Sequence, residues 1–219
     1  DPLHLVILFK KEEPLIQSED LPLFGINDSV FLQNPDCPGL MTKKEIRVQL
    51  LAELNLPKQG IIWDIGSGVG SIGLEALRIS PKLKLVSVDK RVGSKSLIEE
   101  NARRLEVKPS LIIEGEALNV LTKNKITNNL SHPDRVIIGG GGSNSHLIIE
   151  EVLKKINSFC ILIIPLISLK SFSRLELILK HKVDKLSISQ HQSYRGVNIG
   201  DDIRLSPLNP VFILKGEIR

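Results

Sequence analysis

Residues 61–71 read Ile-Ile-Trp-Asp-Ile-Gly-Ser-Gly-Val-Gly-Ser, and a second apolar run, Leu85-Val86-Ser87-Val88, is closed by Asp89. A short apolar run that ends in an acid and gives way to spaced glycines describes a buried strand, a sharp turn and the start of a helix near Gly70. Glycine at 66 and 68 lets the backbone turn through positive φ and lets a ligand approach the main chain closely. The first amides of the helix would then face whatever sits above the turn. With an acid closing the next strand, the pattern implies a nucleotide site at the carboxyl edge of a sheet. The dinucleotide fingerprint carries its third glycine five residues after the first, where this chain has Ser71. Its own third glycine, Gly70, comes four residues on, so the match to that class of site is imperfect.

The rest of the chain agrees with a layered α/β architecture. Apolar runs at 61–64, 83–88, 110–113, 134–138 and 160–164 predict buried strands. Helical periodicity falls between and after them, at 70–79, 94–105, 117–122, 144–156 and 169–180. Short buried strands alternating with amphipathic helices imply a parallel sheet covered on both faces. After residue 180 the pattern changes to two strands, 185–191 and 211–215, with no helix between them, which suggests an antiparallel hairpin at one sheet edge.

Upstream, residues 44–54 place Ile46, Leu50, Leu51 and Leu54 on one stripe, so a helix packs on the sheet there. Thr42 is its expected N-cap, with Glu45 three residues on completing a capping box. Residues 1–9 read as an isolated strand followed by a Pro-rich, acidic stretch. The expectation is that residues 1–27 are the tail of a preceding domain plus a linker, and that 28–219 form one domain. The chain opens at Asp1 with no initiator Met, which suggests a piece of a longer protein.

Bulk properties narrow the partners only a little. Net charge is +4 and the sequence pI about 9.0, which suits an anionic small molecule as well as nucleic acid. Aromatic residues make up only 4% of the chain, so few platforms exist for stacking bases, and no nucleic-acid partner is expected. Cys37 and Cys160 match no metal spacing, and Cys160 lies in an apolar run as a small buried hydrophobe. The longest apolar stretch, 159–167, is too short to span a bilayer, so no membrane partner is expected. Without a secretory signal the expected compartment is the cytoplasm.

Gly-x-Gly-x-Gly after an Asp-ended strand resembles the first motif of class I S-adenosylmethionine-dependent methyltransferases. Four further segments sharpen that likeness. These are Phe31-Leu-Gln-Asn-Pro-Asp-Cys-Pro-Gly-Leu-Met-Thr-Lys-Lys-Glu-Ile-Arg47, Glu114-Gly-Glu-Ala117, Val136-Ile-Ile-Gly-Gly-Gly-Gly-Ser143 and Asn209-Pro-Val211. Together they resemble the decarboxylating precorrin methyltransferases of cobalamin biosynthesis, over roughly residues 31–216. The resemblance implies a Rossmann-like, mostly parallel seven-stranded sheet with a C-terminal antiparallel hairpin. It implies S-adenosylmethionine as cofactor, methylation of carbon-15 of a precorrin tetrapyrrole, and loss of carbon dioxide from the acetate chain on ring C. It also implies a homo-oligomer and a fused or separate carbon-5 methyltransferase domain, whose closing strand residues 1–9 resemble. Relatives often carry Asn-Ala-x-Thr-x-Glu after the fifth strand. This chain has Pro165-Leu-Ile-Ser-Leu-Lys170, so any contribution of that acid is missing here or comes from elsewhere.

By the same resemblance the cofactor is held by Thr42, Asp64, Gly66, Ser67, Gly68, Val69 and Gly70. Asp89 accepts from both ribose hydroxyls, and Glu116 with Ala117 borders the adenine. Thr42 could equally serve only as a cap, and Glu116 only as a solvated acid opening a helix. A precorrin carries many carboxylates, so Lys43, Arg47 and Arg195 are expected to bind substrate, with Lys44 and Arg204 as further cations; Gly140 and Gly141 offer an open floor for a flat macrocycle. Any one of these cations could instead belong to a solvated face. No catalytic acid or base and no metal site is named. The competing readings are an RNA or other small-molecule methyltransferase and a cofactor-binding module without catalysis.

Overall fold

A computed structural model describes residues 18–34, 41–128, 130–139, 142, 144–156 and 159–219. In chain order its elements are α1 (Lys44–Glu53), β1 (Gln59–Ile65), α2 (Ser71–Ile79), β2 (Lys82–Asp89), α3 (Ser94–Arg104), β3 (Leu111–Glu114) and α4 (Ala117–Thr122). They continue as β4 (Arg135–Ile138), α5 (Ser145–Leu153), β5 (Cys160–Leu166), α6 (Leu169–Leu179), β6 (Lys185–His191), β7 (Tyr194–Ile199), β8 (Asp202–Pro207) and β9 (Val211–Ile218). Seven strands form one sheet in the order β3-β2-β1-β4-β5-β9-β6. The first five pair in parallel, and β9 runs antiparallel to both β5 and β6. This is the α/β sheet expected from the sequence. The 144–156 helix is shorter than its periodicity implies, ending at Leu153.

Strands buried on both faces explain the continuous apolar runs. The face toward α1, α2 and α3 is filled by Leu50, Leu74, Ile98 and Ile62; the face toward α4, α5 and α6 by Trp63, Ile149, Leu162 and Leu175. At the amino edge of the sheet Arg135, buried on β4, donates to the Leu54 carbonyl at 2.6 Å and the Asn55 carbonyl at 2.7 Å. A guanidinium there satisfies the orphan carbonyls at the end of α1 and complements its negative pole. Cys160, next to it on β5, is fully buried, and that burial pushes its thiol up to about 12, so it stays neutral.

Three expectations change. Thr42 does not cap α1: Lys43 occupies the N-cap with no side-chain hydrogen bond, and Glu45 turns outward to Arg195 instead of closing a capping box. The anticipated hairpin exists as the antiparallel β6–β9 pair, but the connection carries a separate two-stranded ribbon, β7–β8, turning at Gly200 with φ 58°. Finally, residues 18–27, expected as part of a linker, pack on the domain. Arg78 on α2 donates to the Ser18 hydroxyl at 2.7 Å and to the Leu21 and Pro22 carbonyls at 3.3 Å, and Ile26 is fully buried in the core. The expected strand at 1–9 lies outside the described residues.

Candidate functional site

The sheet changes direction between β1 and β4, since β1 to β3 step outward on one side and β4 and β5 on the other. Loops leaving adjacent strands on opposite faces open a crevice at the carboxyl edge, where ligands of such sheets lie. Gly66 follows β1 and Gly139 follows β4. A Cβ on Gly139 would lie 2.7 Å from the Gly66 carbonyl oxygen, and one on Gly66 would strike the Gly139 carbonyl. These two glycines are therefore required by the meeting of two main chains.

Gly68 is different. Its φ is +59°, and a Cβ there would meet only the Nη1 of Arg91 at 3.6 Å. The space in front of it belongs to a cleft of about 250 Å³. Gly68 and Val69 form one wall, Gln33, Asn34 and Met41 a second, and Leu97 with the 91–94 loop a third.

Asp89 ends β2 beside this turn and is buried. Its Oδ2 accepts from the Gly68 amide at 2.7 Å and its Oδ1 from the Arg91 amide at 3.0 Å. A carboxylate has about four acceptor positions, so the two oxygens keep capacity for two more donors. The Asp89 carbonyl accepts from the Gly115 amide at 2.8 Å, which brings Glu116, the N-cap of α4, and Ala117 to the same corner. Lys90 stands 3.7 Å from Glu116 in an exposed pair.

The turn does not present a row of free amides, contrary to expectation. Gly66 and Ser67 both donate to the Val88 carbonyl, at 2.7 and 3.1 Å, Gly70 donates to the Ser67 carbonyl at 2.9 Å, and Gly68 donates to Asp89. The amides without a partner here are those of Val69 and of Ser71 and Ile72 at the start of α2, and the Ser67 hydroxyl is buried without a hydrogen-bond partner.

Asp64 lies beneath the turn, fully buried, with Oδ2 accepting from the Gly73 amide at 3.2 Å. Burial raises its carboxyl to about 7, the Gly73 hydrogen bond opposes the rise, and the Asp89 charge adds to it.

Two of the cations expected to face substrate are committed elsewhere. Arg47 is wholly buried: Nε bonds Glu75 at 2.7 Å, Nη1 bonds Asp28 at 2.6 Å and the Thr42 carbonyl at 2.7 Å, and Nη2 donates to the Ile26 carbonyl. Its guanidinium also stacks over Phe31. It ties the 18–31 segment to α1 and α2, and is not available to a ligand.

Arg195 on β7 forks onto Glu45 at 2.7 and 2.9 Å and reaches Asp28 at 2.9 Å, docking the ribbon on the start of α1. Desolvation acts to raise Asp28, but hydrogen bonds and charge from Arg195 and Arg47 outweigh it and hold the carboxyl below its usual range. Lys44 bonds Asn27, and Arg204 is exposed on β8. Lys43 is half-buried beside Thr42 at the mouth of α1. Gly140 and Gly141 lie outside the described residues. The described end of their loop is held from α6 by Arg174, which bonds the Ser145 hydroxyl at 2.9 Å.

Several residues of the site carried no local motif. Glu75 sits inside the apolar run Ile72-Gly-Leu-Glu-Ala-Leu77, and an acid there is a signal for a buried, paired group. Asp28 and Asn101, whose partners are 16 to 167 positions away, offered no such signal.

A family model described as the precorrin methyltransferase domain matches residues 36–216. A probable cobalt-precorrin-6B C(15)-methyltransferase (decarboxylating) of Pyrobaculum aerophilum is 33% identical over 192 residues, covering 87% of this chain and 94% of that one. The precorrin-6Y C(5,15)-methyltransferase [decarboxylating] of a Sinorhizobium species is 31% identical over 138 residues, 63% of this chain but 31% of that longer protein. The crystal structure of precorrin-6Y C5,15-methyltransferase from Geobacter metallireducens superposes with a TM-score of 0.79 at 22% identity, covering 91% of this chain and all of that one. The match over the glycine turn, the Asp89 corner and the closing antiparallel strand places this chain in the precorrin methyltransferase family.

Proposed function

We propose that the chain methylates carbon-15 of a precorrin macrocycle from S-adenosylmethionine and releases the ring C acetate carboxyl as carbon dioxide. The observation that carries the cofactor assignment is the pairing of Asp89 with Gly68: the carboxylate is fixed by two amides with acceptor capacity to spare, beside a glycine whose missing side chain leaves open space. Two vicinal ribose hydroxyls are donors of the right number for it. The cofactor's ammonium is a donor too, and the turn offers it carbonyl oxygen. Thr42, Asp64, Val69, Glu116 and Ala117 complete the proposed contacts.

The cofactor supplies a methyl group on a positively charged sulfur, already activated for transfer. The chain's task is to hold that group in line with a nucleophilic carbon and to exclude water, and positioning of this kind supplies most of the rate. Met41, Val69 and Leu97 give the cleft apolar walls. The conjugated macrocycle takes up the electrons left by the carboxyl, so the step asks for no dedicated acid from the chain. Lys43 is kept, and Arg91 takes the place of Arg47 and Arg195, as the cations proposed for substrate carboxylates, with the 140–141 loop as floor.

Two further proposals concern assembly. The Sinorhizobium relative supports a carbon-5 methyltransferase domain working alongside this one. A second copy is proposed to cover the ribbon, where Ile199, Ile203 and Leu205 stand 56%, 66% and 69% exposed on strands with unpaired edges. Light scattering of wild type and Ile203→Glu checks this, and a monomeric wild type would refute it.

The central test is calorimetric titration with S-adenosylmethionine, followed by incubation with a carbon-5-methylated precorrin and mass analysis. Gain of one methyl with loss of carbon dioxide is expected, and Asp89→Ala should weaken cofactor binding by about tenfold or more, the value of one charge-assisted contact. Binding without product would leave a cofactor-binding module.

A further inference from the structure

Two walls of the cleft are joined by a single buried side chain that none of the assigned roles uses. Asn101 projects from α3 and is fully buried. Its Oδ1 accepts from the Leu32 amide at 2.7 Å, and its Nδ2 donates to the Leu32 carbonyl at 3.1 Å and to the Val69 carbonyl at 3.0 Å. A carboxamide has two donors and two acceptor positions, so three of its four bonding positions are filled by main chain. Leu32 is followed directly by Gln33 and Asn34, which form one wall, while Val69 belongs to the glycine turn that forms the other.

We infer that Asn101 is a positioning residue that sets the separation of the cleft walls and through it the affinity for the cofactor. The inference rests on the assignment of this cleft to S-adenosylmethionine. Asn101 bonds the amide and carbonyl of one residue together, as a neighbouring strand would, so it fixes both the distance and the rotation of the 31–34 segment. Because its third bond goes to the turn, a shift of the segment and a shift of the turn are coupled. Buried polar networks of this kind are rigid when satisfied and disruptive when one partner is lost.

The fold supplies its own control. Arg78 fastens the same segment at its other end, to Ser18, Leu21 and Pro22, and none of these groups lines the cleft. Asn101→Ala removes all three bonds, whereas Asn101→Asp keeps the volume and the acceptor for Leu32 but turns the donor end into an acceptor facing two carbonyls. Calorimetric titration of the full chain with S-adenosylhomocysteine should show both variants binding about tenfold more weakly than wild type, the loss of roughly one to two net hydrogen bonds. Arg78→Ala should bind within about twofold of wild type even where its thermal midpoint falls as far, since a factor of two is well under the value of one such bond.

Amide exchange on wild type gives a readout that depends on no variant: peptides covering Leu32–Asn34 and Val69 should gain protection together when the nucleoside is added. Failure of wild type to bind either nucleoside would remove the cofactor assignment and this inference with it. Wild-type binding with unchanged affinity in both Asn101 variants, or with equal losses in Arg78→Ala, would remove the inference alone. Protection gained at Val69 without any at 32–34 would do the same.

Discussion

Alanine at Gly66 and alanine at Gly68 should have unequal consequences, although the two glycines share one turn. Both residues sit at positive φ, 78° and 59°, where an L side chain costs about 1–2 kcal/mol. At Gly68 that is nearly the whole cost, because the new methyl would meet only the flexible tip of Arg91. At Gly66 the methyl is driven into the Gly139 carbonyl, and forcing two loops apart adds about 1–3 kcal/mol. Gly66→Ala should therefore lose about 3 kcal/mol and Gly68→Ala about 1.5 kcal/mol.

For a chain of 219 residues these correspond to falls in thermal midpoint of roughly 9 °C and 4 °C. The assay is thermal unfolding by circular dichroism, first without ligand and then with S-adenosylhomocysteine at about a hundred times its dissociation constant, a concentration that stabilises wild type by about 2.7 kcal/mol. Gly68→Val, whose side chain fills the cleft, should fold but lose that ligand-dependent gain. Equal midpoints for the two alanine variants, or a full ligand response in Gly68→Val, would refute the separation of a packing glycine from a binding glycine.

Asp64 makes stability depend on pH. Burial holds its carboxyl at about 7, against an ordinary value of 3.8, so the folded chain keeps a proton there that the unfolded chain has released. Its contribution is full below about pH 4 and is lost as pH rises through 7. The urea midpoint of wild type should fall between pH 5 and 8 relative to that of Asp64→Asn, and parallel curves would count against the buried acid.

Arg47 and Arg195 share Asp28 yet should differ in stability. Arg47→Ala strands the fully buried Glu75, takes one of two arginines from Asp28, and should cost about 3–5 kcal/mol. Arg195→Ala breaks a half-exposed pair and should cost less than about 1 kcal/mol, both read by urea unfolding. Similar losses would contradict the burial seen here.

The parts of this fold that could be read from sequence are those whose cause is local. The alternation of apolar runs and helical stripes set the parallel sheet, and the glycine turn with Asp89 placed the cleft, because strand, turn and helix start are consecutive there. Thr42 and Glu45 had the spacing of a capping box, but Glu45 meets a bidentate arginine 150 positions away, a stronger partner than a helix amide. Arg47 looked like a surface cation because nothing nearby in sequence announces Asp28 and Glu75. The ribbon went unnoticed because its strands are exposed on both sides, so neither periodicity nor burial marks them; Gly200-Asp-Asp between two β-branched stretches was the remaining clue. Asn101 is legible only once Leu32 and Val69 are seen in contact with it.

The strand that comes last in chain order, β9, is not at a margin of the sheet. It lies between β5 and β6 and is hydrogen-bonded on both sides along its length. A nascent chain that has not yet delivered residues 211–218 holds two open strand margins facing a gap, one of them the fully apolar β5. Synthesis proceeds slowly compared with the formation of the preceding βα units. The half-made protein thus spends its most adhesive interval waiting for a single segment, and losing that segment to a nonsense mutation would expose two ladders at once. Cellular proteases and chaperones would meet such a product as an unclosed sheet, whatever the integrity of the cofactor corner.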